Sequence, residues 1–257
     1  MNRITELFKR KNAILSVYFT AGFPALKDTV PVIESLSAAG VDLIEIGIPF
    51  SDPLADGPVI QHSSELALRN GMTLRLLFEQ LKDIRRSIQA PLLFMGYLNP
   101  VLQFGVEAFC IQAQEVGIDG VIIPDLPFSE YVEEYEAMFT KYGIINIFLI
   151  TPQTSEARIR LIDEHSKGFI YMVSAASTTG AKAGVTAVQS DYFARVRAMN
   201  LRNPLLIGFG ISDNETFANA CAYANGAIIG SAYIRALEQG TDVQTSTARF
   251  VQSILTN

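Results

Sequence analysis

The chain has 257 residues, with 20 lysines and arginines against 26 aspartates and glutamates, a net charge of −6 and a pI near 5.0. That length fits one α/β barrel or two small domains, and it buries enough core to stand without disulfide or metal staples. Basic residues are neither in excess nor clustered, which excludes nucleic acid as a partner, and no apolar run reaches the ~18 residues of a membrane span.

The N-terminus opens with a short amphipathic helix around Ile4, Leu7 and Phe8, interrupted by Glu6, Lys9 and Arg10, with no secretory pattern. Residues 13–20 read as a first strand, ended by Gly22 and Pro24. Residues 29–39 have helical apolar spacing (Val32, Ile33, Leu36) and stop at Gly40. A second strand over 41–47 runs into a loop crowded with acids and prolines, followed by a helical pattern from about residue 60 to 88, broken at Gly71. Residues 91–95 make a third strand, 96–100 a loop, and 106–116 a helix ending at Gly117. Strands four (119–123) and five (144–150) flank a helix over 130–142, and a fifth crossover helix covers 156–165. Strand six (169–173) leads into a long loop of small residues, 174–184. A helix over 192–199, strand seven (204–208), a capping-box pattern at Ser212 to Glu215, strand eight (226–230) and a closing helix through 255 complete the chain.

Strand then helix, repeated about eight times with short connections and no linker, predicts a single-domain (β/α)8 TIM barrel over residues 1–257, with the short helix in front. An open doubly wound sheet is the rival. It would want phosphate-binding glycines after the first strand, whereas Gly22-Phe-Pro24 is no such motif and the glycines collect late. Cys110 and Cys221 fall in predicted helices without Cys or His neighbours and read as buried thiols in a reducing, cytoplasmic setting. His62 and His165 are far apart and read as surface residues, so no metal site is expected.

Two features carry chemistry. Under a period of two, Glu45 shares a strand face with Val41, Leu43 and Gly47, on a strand apolar on both sides, so its carboxyl is expected to have a raised pKa. The adjoining loop adds Asp52 and Asp56, stiffened by Pro49, Pro53 and Pro58. A Glu paired with a buried Arg or Lys is the bland alternative for Glu45. Second, Gly208-Phe-Gly210 follows strand seven and Gly230-Ser231 follows strand eight, where barrels hold phosphate, although such glycines also serve simply as turn residues. Gly180 in the loop after strand six offers another N–H, and that loop suits a mobile lid. With no metal cluster, nucleophilic pair or inward lysine in view, the residues point to acid–base chemistry by carboxylates on a phosphorylated small molecule. Isomerisation, lyase cleavage and hydrolysis all stay open on these grounds.

The run Glu45-Ile-Gly-Ile-Pro-Phe-Ser-Asp-Pro-Leu-Ala-Asp56-Gly-Pro58 closely resembles the signature of the tryptophan synthase alpha family. Thr179-Gly180-Ala181, Gly208-Phe-Gly-Ile-Ser212 and Gly230-Ser231-Ala232 support it in order, and the resemblance runs from Tyr18-Phe-Thr-Ala-Gly22 onward. It implies cleavage of indole-3-glycerol phosphate to indole and glyceraldehyde 3-phosphate. It also implies an α2β2 assembly in which indole passes through a tunnel to a beta subunit holding pyridoxal phosphate, with no cofactor in this chain. By the same resemblance Glu45 moves protons and Asp56 accepts the ring N–H. Tyr18 and Tyr171 flank the indole, Thr179 closes the lid, and Gly180, Gly210, Gly230 and Ser231 hold the phosphate, with Gly208 counted among the substrate-binding residues from its place after strand seven. Pro49, Asp52 and Asn99 face the beta subunit. One departure stands out: the family's sixth loop commonly reads Ser-Arg-x-Gly-Val-Thr-Gly, and here it is Ser174-Ala175-Ala-Ser177-Thr-Thr179-Gly180. Signalling from the partner to the lid therefore does not carry over. The competing readings are an idle barrel that only stimulates the beta subunit, a stand-alone lyase, and another sugar-phosphate barrel such as an isomerase.

Overall fold

A computed structural model describes residues 2–173, 187–208 and 210–256. Its eight described strands close into a parallel barrel in sequence order. They are β1 (Ile14–Thr20), β2 (Leu43–Gly47), β3 (Leu92–Met95), β4 (Gly120–Ile122), β5 (Ile145–Ile150), β6 (Ile170–Val173), β7 (Leu205–Gly208) and β8 (Gly226–Ile229). Closure comes from β8 pairing back onto β1, with Ile14 opposite Gly226 and Val17 opposite Ile229. The strands are apolar on both faces because both are covered. Ile14, Leu43, Leu93, Ile122, Ile147, Leu206 and Ile228 fill the interior, and their neighbours Leu15, Ile44, Phe94 and Val121 pack outward against helices. The open-sheet rival is thereby excluded.

Around the barrel run α2 (Thr29–Ala38), α3 (Pro58–Arg69), α4 (Leu74–Leu81), α5 (Leu98–Phe104), α6 (Val106–Val116), α7 (Phe128–Glu130), α8 (Glu136–Lys141), α9 (Glu156–His165), α10 (Ala187–Ala198), α11 (Asn214–Cys221), α12 (Ser231–Gln239) and α13 (Val243–Leu255). Ahead of them α1 (Arg3–Arg10) lies across the barrel floor. Asn2 fixes it: its side chain accepts from Ile4 N at 2.9 Å and donates to the Asp119 carbonyl at 2.7 Å. Ile4, wholly buried, joins the interior cluster from below. A Cβ on Gly120 or Gly168 would come within 3.0 or 3.2 Å of the Ile4 side chain, so these glycines leave room for it. Asp119 completes the floor, accepting from Arg3 Nη1 at 3.0 Å, Arg85 Nη2 at 2.5 Å and Leu92 N at 3.0 Å.

Several sequence expectations change. The long pattern over 60–88 is two helices and a 3-10 turn. Pro58 starts α3 at N1, where its missing N–H costs nothing, and Thr73 caps α4 by accepting from Leu76 N at 3.2 Å. The expected loop at 96–100 becomes helix at Leu98, whose N–H finds Asp125 Oδ1 at 2.9 Å. The helix over 130–142 carries a π turn at Tyr131–Tyr135 between α7 and α8. The helix expected from residue 192 starts at Ala187. The capping box lies one residue later than read: Asp213 accepts from Thr216 N at 2.9 Å, and Thr216 Oγ1 accepts from Asp213 N at 3.1 Å. The closing helix breaks near Gly240, where a Cβ would collide with the Ser246 side chain, and Asp242 recaps α13. His62 is exposed, but His165 is half-buried against Phe128 and Glu136, contrary to a purely surface reading.

Candidate active site

The strand C-terminal ends define the mouth, and β2 brings Glu45 to it. In phase with inward Leu43, Glu45 is wholly buried, and Ser16 Oγ donates to its Oε1 at 2.7 Å. Its other oxygen, Oε2, is buried with no hydrogen-bond partner among the described residues. Burial pushes its pKa up to about 7, against the opposing pull of the Ser16 hydrogen bond. The bland alternative, a Glu paired with a buried Arg or Lys, has no such partner among the described residues.

Asp56 reaches the mouth on the loop after β2. The Tyr97 hydroxyl donates to its Oδ2 at 3.0 Å and accepts from Ala55 N at 2.9 Å, while the Tyr97 ring lies 5.3 Å from Phe50. Tyr97 thus ties the loop after β2 to the loop after β3. Burial raises the Asp56 pKa to about 6, opposed by the Tyr97 bond. Asp56 is half-buried. Sequence reading did not single out Tyr97. Its only signal was a phenol just past a strand end, beside an acidic loop.

The two acids converge on two phenols. Tyr18 pairs across from Glu45 in the β1–β2 register, and Tyr171 stands on β6 opposite Leu206. Both are buried, which with the charges of Asp56 and Glu45 pushes both phenols far above their ordinary range, so they stay protonated. The charges of Glu45 and Asp56 both add to the rise at each phenol. Glycines make the arrangement possible. A Cβ on Gly47 would overlap the Tyr18 hydroxyl, and one on Gly208 would overlap the Tyr171 hydroxyl. In each pair the tyrosine occupies the space above its neighbouring strand's glycine.

On the far side of the mouth, Gly210 adopts a positive φ of 79° just after β7. Gly230 caps α12 and Ser231 is its first residue, so first-turn N–H groups lacking intrahelical acceptors lie after β8. Gly208 is buried at the end of β7, under Tyr171. Thr179 and Gly180, with the rest of the sixth loop and Phe209, lie outside the described residues. Of the residues expected to face a partner, Asp52 and Asn99 are exposed, Asn99 in the first turn of α5, while Pro49 is buried, contrary to a residue facing a partner directly. Between Asp52 and Asp56, Leu54 is 89% exposed, a large apolar side chain left in solvent. Among the described residues no group of three or more His, Cys, Asp or Glu is arranged to hold a metal ion.

Comparison with known proteins gives consistent matches over the full length. The family profile described as tryptophan synthase alpha chain matches residues 4–256. The tryptophan synthase alpha chain of Flavobacterium johnsoniae is 61% identical over 239 residues, spanning 93% of this chain and 94% of that protein. Its counterpart from Flavobacterium psychrophilum is 58% identical, spanning 99% and 100%. Among solved structures, the tryptophan synthase alpha chain of Legionella pneumophila superposes with a TM-score of 0.88 at 34% identity, covering 99% of this chain and 96% of that one. The chain matched in a tryptophan synthase complex from Pyrococcus furiosus gives 0.87 at 34%, covering 95% and 98%.

Proposed function

Because the chain belongs to the tryptophan synthase alpha chain family, and so cleaves indole-3-glycerol phosphate in tryptophan biosynthesis, we propose that Glu45 and Asp56 are the groups that perform the cleavage. The bond from indole C3 to the glycerol chain cannot break heterolytically onto C3 without forming a poor carbanion. Glu45, protonated, gives its proton to C3. The resulting positive charge, delocalised to the ring nitrogen, is met by the Asp56 carboxylate, which accepts the ring N–H. The Glu45 carboxylate then takes the carbinol proton. The C–C bond breaks, its electron pair restores the indole, and glyceraldehyde 3-phosphate leaves as the aldehyde. The proton count closes at Glu45.

The observation carrying this reading is the contrast in surroundings: Glu45 is wholly buried on a barrel strand, with no cationic partner among the described residues, whereas Asp56 is half-buried on a loop and accepts from the Tyr97 hydroxyl. Burial pushes Glu45 up to about 7, which keeps an acid fraction at neutral pH, and Asp56 up to about 6, opposed by the Tyr97 bond. Environment thus separates the carboxyls into the two roles the reaction asks for. Tyr18 and Tyr171 flank the ring. Gly210, Gly230 and Ser231, with Gly180 and Gly208, cradle the phosphate, and Thr179 closes over it. Asp52, Asn99 and exposed Leu54, with Pro49 supporting the loop, form the rim that meets a beta subunit in an α2β2 assembly. Pyridoxal phosphate belongs to that partner and this chain's step needs no cofactor. We read residues 1–257 as one domain working in the cytoplasm; no helix of the described residues is long and apolar enough to cross a membrane.

The test is indole release from indole-3-glycerol phosphate by Glu45→Gln, with and without beta subunit. Loss of at least ~10²-fold in kcat, with unchanged circular dichroism, is expected for removal of the acid–base group. Turnover at the wild-type rate would refute the assignment.

A further inference from the structure

Ser16 has no part in the scheme above, yet among the described residues it alone hydrogen-bonds the Glu45 side chain. Its hydroxyl lies on the inward face of β1, wholly buried. In the β1–β2 register Ser16 stands opposite Leu43 and Tyr18 opposite Glu45, so the bond reaches the carboxyl from the floor side. Oε2 is left buried with no partner among the described residues. Buried polar atoms are almost always bonded, so an orphaned oxygen on an acid–base group calls for an explanation, and a catalytic role is one. Among the described residues Tyr18 stands beside Glu45 in the strand register, and the charges of Glu45 and Asp56 add to the rise at the Tyr18 and Tyr171 phenols.

We propose that Ser16 is a positioning residue for the cleavage: by holding Oε1 it makes the two carboxyl oxygens inequivalent and leaves Oε2 to carry the proton to indole C3 and to receive the carbinol proton. The inference rests on Glu45 being the acid–base group. The terminal torsion of a glutamate is broad, so an untethered carboxyl samples many orientations. A single donor on one oxygen fixes the other toward the reacting atoms. The same hydrogen bond favours the carboxylate over the acid, so its loss makes Glu45 harder to ionise.

Steady-state indole release as a function of pH, in Ser16→Ala, Ser16→Thr and Glu45→Gln, tests this. In Ser16→Ala, kcat is expected to fall about tenfold at little cost in KM. The basic limb of kcat/KM is expected to move up by about one pH unit, and Ser16→Thr, which keeps the hydroxyl, should hold the wild-type limb. A Ser16→Ala profile superimposable on wild type overturns the proposal. So does a lower kcat with the limb unmoved, since that is what lost packing alone would give. Glu45→Gln separates the two layers. If it is inactive while Ser16→Ala behaves as wild type, only the role of Ser16 falls. If it turns over normally, the acid–base assignment falls, and the role of Ser16 with it.

Discussion

At the scale of the residue, the site's chemistry is set by which form of each carboxyl must be present before reaction. Under the proposed scheme Asp56 starts ionised, so activity should decline as pH falls through about 6, and Glu45 starts protonated, so activity should decline as pH rises through about 7. A narrow bell in kcat/KM is the expected profile. A phosphate monoester also titrates near pH 6, so the acid limb needs an independent handle, and Tyr97 supplies it. Tyr97→Phe removes the donor that holds the Asp56 pKa down, leaving the substrate untouched. The acid limb should move up in pH while the basic limb stays; an unmoved acid limb would assign that limb to the substrate. Glu45 was legible in the sequence because a period of two and its apolar neighbours are local facts. Ser16 and Tyr97 were not, because their partners lie 29 and 41 positions away, and nothing in either local pattern announces them.

At the scale of the element, the paired glycine and tyrosine positions repeat across the barrel. β2 ends in Gly47 under Tyr18 of β1, and β7 ends in Gly208 under Tyr171 of β6. A strand end carrying no side chain lets the neighbouring ring rise across it to the mouth. Gly208→Ala should therefore displace the Tyr171 ring, lowering kcat/KM by about tenfold or more through misplacement at the site. The thermal midpoint should move by only a few degrees, since no positive φ is involved. Wild-type kinetics in that variant would show that the ring has room to spare. The sequence suggested phosphate for Gly208 from its place after strand seven. It could not show which side chain of another strand covers the Cα. Helix boundaries follow the same logic: the shift of the capping box from Ser212 to Asp213 turns on which residue adopts extended backbone, φ −152° and ψ 177°, and both spacings read plausibly as caps.

At the scale of the whole molecule, the barrel itself was written plainly, because eight alternations of strand and helix with short connections leave few topologies. The floor was not. Ile4 looked like one apolar residue of a small amphipathic helix, and only closure of the strands shows that it fills the bottom of the interior. Ile4→Ala should destabilise the fold by about 2–4 kcal/mol, read as a lower urea midpoint with unchanged slope. Activity well below that midpoint should be retained, because the mouth is at the other end. The plug also has a consequence for traffic. A stoppered vessel empties at its neck, so under the proposed scheme indole freed beside Glu45 would leave by the rim. A partner seated on Asp52, Leu54 and Asn99, as proposed, would intercept the outflow without needing any affinity for it.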